Sequence, residues 1–160
     1  MLSCMGFDFG TTNSVVALPG RDGVPQPIRF RDGDQDISAF RSVLCFWEEQ
    51  TAGRPAINAL AGPRAIEHFI ENAGDCRFLQ SLKSFAASHL FQNTRVYGRS
   101  YSFEQLLENF LALLREQAGE QLVSLPQRFV LGRPVQFAGS NPDPALALER
   151  YRAAMAPFGG

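Results

Sequence analysis

Gly6-Phe-Asp-Phe-Gly10-Thr-Thr-Asn-Ser14 is the stretch that decides the fold. Met5–Phe9 before the turn and Ser14–Leu18 after it are apolar or β-branched runs, so the segment is expected to be strand, tight turn, strand. A turn built of glycine and small hydroxyl residues aims several backbone N–H groups and hydroxyls at one point, an anion nest suited to phosphate. Asp8, on the strand entering that turn, places a carboxylate where Mg²⁺ bridging phosphates would sit, held partly through retained waters. The same residues also fit a plain hairpin with Asp8 paired to a nearby arginine, and both readings stand at this point.

Outward from this turn, Pro19–Pro27 predicts a second turn and Ile28–Phe30 a short strand, giving an antiparallel meander. Arg31–Ser38 is expected to be a loop, and Ser42–Trp47 a buried strand. Ala61–Ala73 is expected to be a helix, with Gly62-Pro63 at its start and Gly74 just past its end. Phe78, Leu79, Leu82, Phe85 and Ala86 form a helical stripe over Cys76–His89, with Lys83 beside it. Ser102-Phe-Glu-Gln105 is a capping box opening an amphipathic helix that turns Leu106, Leu107, Phe110, Leu111 and Leu114 inward and is ended or interrupted at Gly119. Phe129–Leu131 is a strand after a turn at Pro126, and Ala145–Ala156 a last helix.

Composition excludes several classes. In 160 residues, 45% hydrophobic and 19% charged, the chain has the makeup of a core-forming domain. The net charge of −1 leaves no basic footprint for nucleic acid. Of 15 basic residues all but Lys83 are arginine, and no glycine framework precedes Lys83, so no P-loop is present. The three cysteines, Cys4, Cys45 and Cys76, lack C-x-x-C spacing and suggest neither a disulfide framework nor a zinc site, which fits a reduced, cytoplasmic compartment. Met-Leu-Ser-Cys at the N-terminus lacks the basic and apolar regions that would precede a lipoprotein cleavage box, and Phe110–Leu114 is far too short to span a bilayer. His68 and His89 are expected on helices without metal-ligand spacing, and Glu48, Glu49, Glu67 and Glu71 as solvated loop or helix-face charges.

Taken in order along the chain, several segments resemble the DnaK-type, seventy-kilodalton heat-shock chaperones of the actin-like ATPase superfamily. Gly6–Ser14 is similar to the family's first phosphate loop, and Ser42-Val-Leu-Cys-Phe46 to its P-S-V-V-x-F strand, with Arg41 in place of the proline. Ala61-Gly-Pro-Arg-Ala65 resembles G-x-x-A-K/R, and Phe78-Leu-Gln-Ser-Leu-Lys83 the segment carrying the catalytic lysine. Val130-Leu-Gly-Arg-Pro134 occupies the place of the V-I-T-V-P strand end, and its Gly-Arg-Pro-Val departure is similar to the YegD-like branch.

The resemblance implies a ribonuclease-H/actin-like α/β lobe, a mixed sheet flanked by helices, formed by residues 1–36 and 118–160. A smaller α/β subdomain inserted at 37–117 would carry Lys83 on a helix above the cleft. It implies that Gly10, Thr11, Thr12 and Asn13 cradle the phosphates of ATP or ADP, that Asp8 holds hydrated Mg²⁺, and that Lys83 assists hydrolysis. The resemblance places Pro134 where the family's proline helps pass nucleotide state to the partner domain, though a strand-end proline is also an ordinary stop. It makes Arg133 either a nucleotide or interlobe contact or a surface charge, and roughly matches Arg150 to a family relay arginine. The second lobe of the clamp and any substrate-binding domain would lie outside these residues, so the chain alone is expected to be inactive. Its partners would be that lobe, with unfolded polypeptide clients and co-chaperones, and neither nucleic acid nor membrane. Sugar-type kinases of the superfamily share D-x-G-T-[ST], and a non-catalytic scaffold keeps the same fold, so both remain alternatives.

Overall fold

The computed structural model describes residues 4–124, 128–132, 134, 137 and 139–158. β1 (Cys4–Phe9) and β2 (Asn13–Pro19) pair antiparallel, with Phe7 opposite Val16 and Phe9 opposite Ser14. β3 (Pro25–Pro27) continues the meander on β2. The third strand therefore precedes the expected Ile28–Phe30. The Ile28 N–H still donates to the Val16 carbonyl at 2.8 Å, but the next peptide leaves the ladder. There the Gln121 side-chain amide takes the place of a strand neighbour, accepting from the Arg29 N–H at 2.9 Å and donating to its carbonyl at 2.7 Å.

Residues 31–38, expected as a loop, form a hairpin of β4 (Phe30–Asp32) and β5 (Gln35–Ile37). Gly33-Asp34 closes it, with Gly33 at φ 55°, a conformation that glycine adopts without the Cβ clash. β6 (Phe40–Arg41) then pairs with β2, and β12 (Arg128–Gly132) lies parallel to β1. The result is a mixed sheet in the order β12-β1-β2-β3, with β6 also on β2.

A second sheet has β7 (Leu44–Thr51) between β8 (Arg54–Ala61) and β9 (Arg77–Leu79). Glu48 and Glu49 are thus on a strand instead of in a loop, and Glu49 accepts a hydrogen bond from Asn58 across the hairpin at 2.9 Å. A small hairpin of β10 (Thr94–Val96) and β11 (Arg99–Tyr101) follows.

α1 (Gly62–Glu71) and α2 (Phe103–Ala118) fall where expected, and the Ser102–Gln105 capping box is formed in both directions. α3 (Pro144–Met155) is capped by Asp143, whose Oδ1 accepts from the N–H groups of Ala145 and Leu146 at 2.9 and 3.1 Å. The helix expected over Cys76–His89 is replaced by β9 and a single 3₁₀ turn, Leu82–Phe85. Ser81 in the left-handed region at φ 58° divides the two, and Phe78 pairs with Cys45. The apolar spacing is real, since Leu82, Ala86 and Ala87 are all buried, but a strand and a tight turn bury it. His89 consequently lies in a turn, while His68 is on α1 as expected and stacks on Trp47, ring centroids 4.1 Å apart.

Strand alternation points Met5, Phe7, Phe9 and Val16 into one core with α2 and α3. Phe110 of α2 is fully buried there, its ring 5.6 Å from both Phe9 and Phe40. Phe40 continues the aromatic contacts to Phe30, and Phe9 to Tyr151 of α3. A separate small cluster of Val43, Cys45 and Ala65 lies against α1. Among the described residues no helix is long and apolar enough to cross a membrane.

The cap of α3 gives a pH-dependent expectation. The Leu146 N–H foremost, then the His89 hydrogen bond, hold the Asp143 carboxyl below its ordinary range. A carboxylate whose pKa is lower in the folded chain contributes stability above its unfolded value, near 3.9, and loses it as pH falls through the folded one. Asp143→Ala should therefore lower the melting temperature at pH 7, and the gap from wild type should close below about pH 4. Thermal unfolding across that range measures it.

Candidate functional site

The turn between β1 and β2 is clamped at both ends. Phe9 enters it from the core at 1% exposure and Ser14 leaves it fully buried. The Ser14 and Ser42 hydroxyls are hydrogen-bonded at 2.9 Å, and the Ser42 N–H donates to the Thr12 carbonyl at 2.9 Å. Arg41 adds a hydrogen bond to Asn13 Oδ1 at 3.3 Å. Ser42 and Arg41 are thus part of the turn's support, a role their sequence position beside a strand does not announce.

Gly10 is sterically obligatory. A Cβ on it would overlap the Asn13 carbonyl oxygen, with the Asn13 backbone closing the remaining space. Thr11 and Thr12 are exposed at the tip. Asp8, also exposed, pairs across the sheet with Val15 on one side and Gly132 on the other. Among the described residues it makes no hydrogen bond or ion pair, so the arginine partner of the plain-hairpin reading is not found there. Asp8 lines an open groove of about 300 Å³ on the sheet face away from the core, together with Gly6, Val15, Ala17, Val130 and Gly132.

Those groups suit phosphate and a hydrated divalent cation in kind: two exposed hydroxyls, a tight glycine turn and one exposed carboxylate. Among the described residues no group of three or more His, Cys, Asp and Glu side chains forms a metal cage. A cation at Asp8 would consequently keep most of its water ligands, as Mg²⁺ commonly does.

Lys83 stands in a different segment, half-exposed on the 3₁₀ turn, and no hydrogen bond or ion pair among the described residues joins it to Asp8 or the Gly10–Asn13 turn. What fixes its neighbourhood is Arg150 of α3. That guanidinium donates to the carbonyls of Phe85, Ala86, Ser88 and Phe91 at 2.7–3.2 Å. It also pairs with Glu104 at 3.5 Å and is only 11% exposed. The planar fork of arginine suits this several-carbonyl role, and lysine would not reproduce it. Pro134 is described and half-buried, whereas Arg133 and the expected turn at Pro126 lie outside the described residues. No family model matches the chain.

Proposed function

We propose that the chain is the first lobe of an actin-like, chaperone-type ATPase, with residues 1–36 and 118–160 as the core subdomain and 37–117 as the inserted one. The observation that carries this reading is the Gly10 turn, which admits only glycine and exposes Thr11 and Thr12 at its tip, directly after the strand that carries the exposed Asp8. In this reading the Gly10–Asn13 backbone and the two threonine hydroxyls bind the phosphates of ATP or ADP. Asp8 orients the water shell of Mg²⁺, and the cation, when bound, neutralises charge between phosphates. Lys83 brings a compact positive charge to the terminal phosphate or the attacking water once a second lobe closes the cleft. The protein acts in the cytoplasm, its lobe's nucleotide state coupled to polypeptide clients and co-chaperones.

Isothermal titration of Mg·ATP into the two-lobed protein tests this. Saturable binding is expected, and Gly10→Val should abolish it while far-UV circular dichroism stays that of a folded chain. Absence of binding by the unaltered protein would leave the scaffold reading. Phosphate transfer that depends on an added sugar would favour the kinase reading.

A further inference from the structure

The geometry points to Cys45 and Cys76 as an oxidisable dithiol, a modification site that forms an intramolecular disulfide when the protein meets a peroxide. Cys45 lies opposite Phe78 in the β7–β9 pairing, and Cys76 is two residues before Phe78. Side chains alternate across a strand, so Cys45 and Cys76 fall on one face as diagonal neighbours. Both belong to the small cluster against α1, with Val43, Ala65 and Phe69.

Tyr97 ties the two segments together at the residues flanking the thiols. Its hydroxyl donates to the Asp75 carbonyl at 2.9 Å and lies 3.5 Å from the Phe46 carbonyl. Asp75 precedes Cys76 and Phe46 follows Cys45. Cys76 stands just outside the regular part of β9, where its backbone can yield the small movement that brings diagonal positions to disulfide length.

The two thiols are unequal. Cys45 is fully buried, and burial, together with the Cys76 thiol, pushes its pKa up to about 12. Cys76 is half-exposed and is the sulfur an oxidant reaches first. Its thiolate attacks one oxygen of hydrogen peroxide, the O–O bond breaks, and the departing hydroxide takes a proton to leave as water, giving Cys76 sulfenic acid. The Cys45 sulfur then attacks the Cys76 sulfur. The S–O bond breaks, and the hydroxide leaves with the Cys45 proton as a second water. Two electrons pass from the sulfur pair to the peroxide. The resulting bond encloses β8 and α1 in a covalent loop. Cys4, on β1, is the internal control.

The test is peroxide treatment of the 160-residue chain, alkylation, and trypsin digestion without reductant. Peptides 42–64 and 65–77 should appear as one linked species that dithiothreitol separates. Cys45→Ser should lose the linkage and let dimedone trap a sulfenic acid on Cys76, while Cys4→Ser should leave the linkage intact. Linkage through Cys4, or all three thiols remaining alkylatable after peroxide, overturns the assignment. So does direct passage of Cys76 to sulfinic acid in the wild-type chain.

Discussion

Phe110→Ala is expected to lower the unfolding free energy by about 3–5 kcal/mol, the usual cost of emptying a buried phenylalanine site. The magnitude follows from position. Phe110 is fully buried on α2 and touches both Phe9 of the first strand and Phe40 of β6, so its removal opens a void where three elements meet. Neighbouring rings cannot collapse into that void without disturbing their own contacts to Phe30 and Tyr151. Against a total stability of about 5–15 kcal/mol, this is a large fraction. Urea unfolding should show a lower midpoint at a nearly unchanged slope. Leu90→Ala, at 94% exposure, should change stability by no more than about 0.5 kcal/mol. A Phe110→Ala cost near that of Leu90→Ala would mean that the core is not organised around this ring.

Lys83→Ala has the largest expected effect on chemistry. In the two-lobed protein, on the function proposed above, it should slow single-turnover ATP hydrolysis by roughly 10²–10³-fold, the scale for losing one preorganised electrostatic contact. Nucleotide affinity should stay close to wild type, because the Gly10–Asn13 turn supplies the phosphate contacts. Lys83 makes no ion pair among the described residues, so the thermal midpoint should hardly move, which separates a role in hydrolysis from a structural one. Lys83→Arg should fail to restore the rate, since a planar fork does not replace a compact ammonium. Single-turnover rates equal to wild type would remove Lys83 from the mechanism.

Much of the scaffold was legible because local and tertiary demands agree. In α2 the capping box, the apolar stripe and Gly119 all specify the same sixteen residues, and the helix forms there. The β1–β2 hairpin was legible for the same reason, as its two apolar or β-branched runs flank the glycine turn. Cys76–His89 was not, because Phe78, Leu79, Leu82 and Phe85 have a spacing that a strand joined to a tight turn satisfies as well as a helix does. Only the partner strand β7, distant in sequence, selects between them. The 31–38 hairpin was signalled by Gly33-Asp34, masked by the polarity of its flanks.

In the candidate site, Asp8 and Gly10–Asn13 were legible from one contiguous stretch. The support from Ser42, Arg41 and Arg150 arises only when segments far apart in sequence meet, as Ser42 does with Ser14 and Arg150 with the carbonyls after Lys83.

The anchoring of the Gly10 turn between buried Phe9 and buried Ser14 has a thermodynamic consequence for any anion that binds there. Ordering a loop around a ligand ordinarily subtracts about 1–2 kcal/mol per backbone residue fixed from the binding free energy. Here the order of Thr11 and Thr12 is imposed by folding, through the Ser14–Ser42 and Ser42–Thr12 hydrogen bonds, before a ligand arrives. Cutting the Ser14–Ser42 link with Ser42→Ala would transfer part of that entropic cost to the binding step, so affinity for such an anion would fall although Gly10, Thr11, Thr12 and Asn13 are all unchanged in sequence.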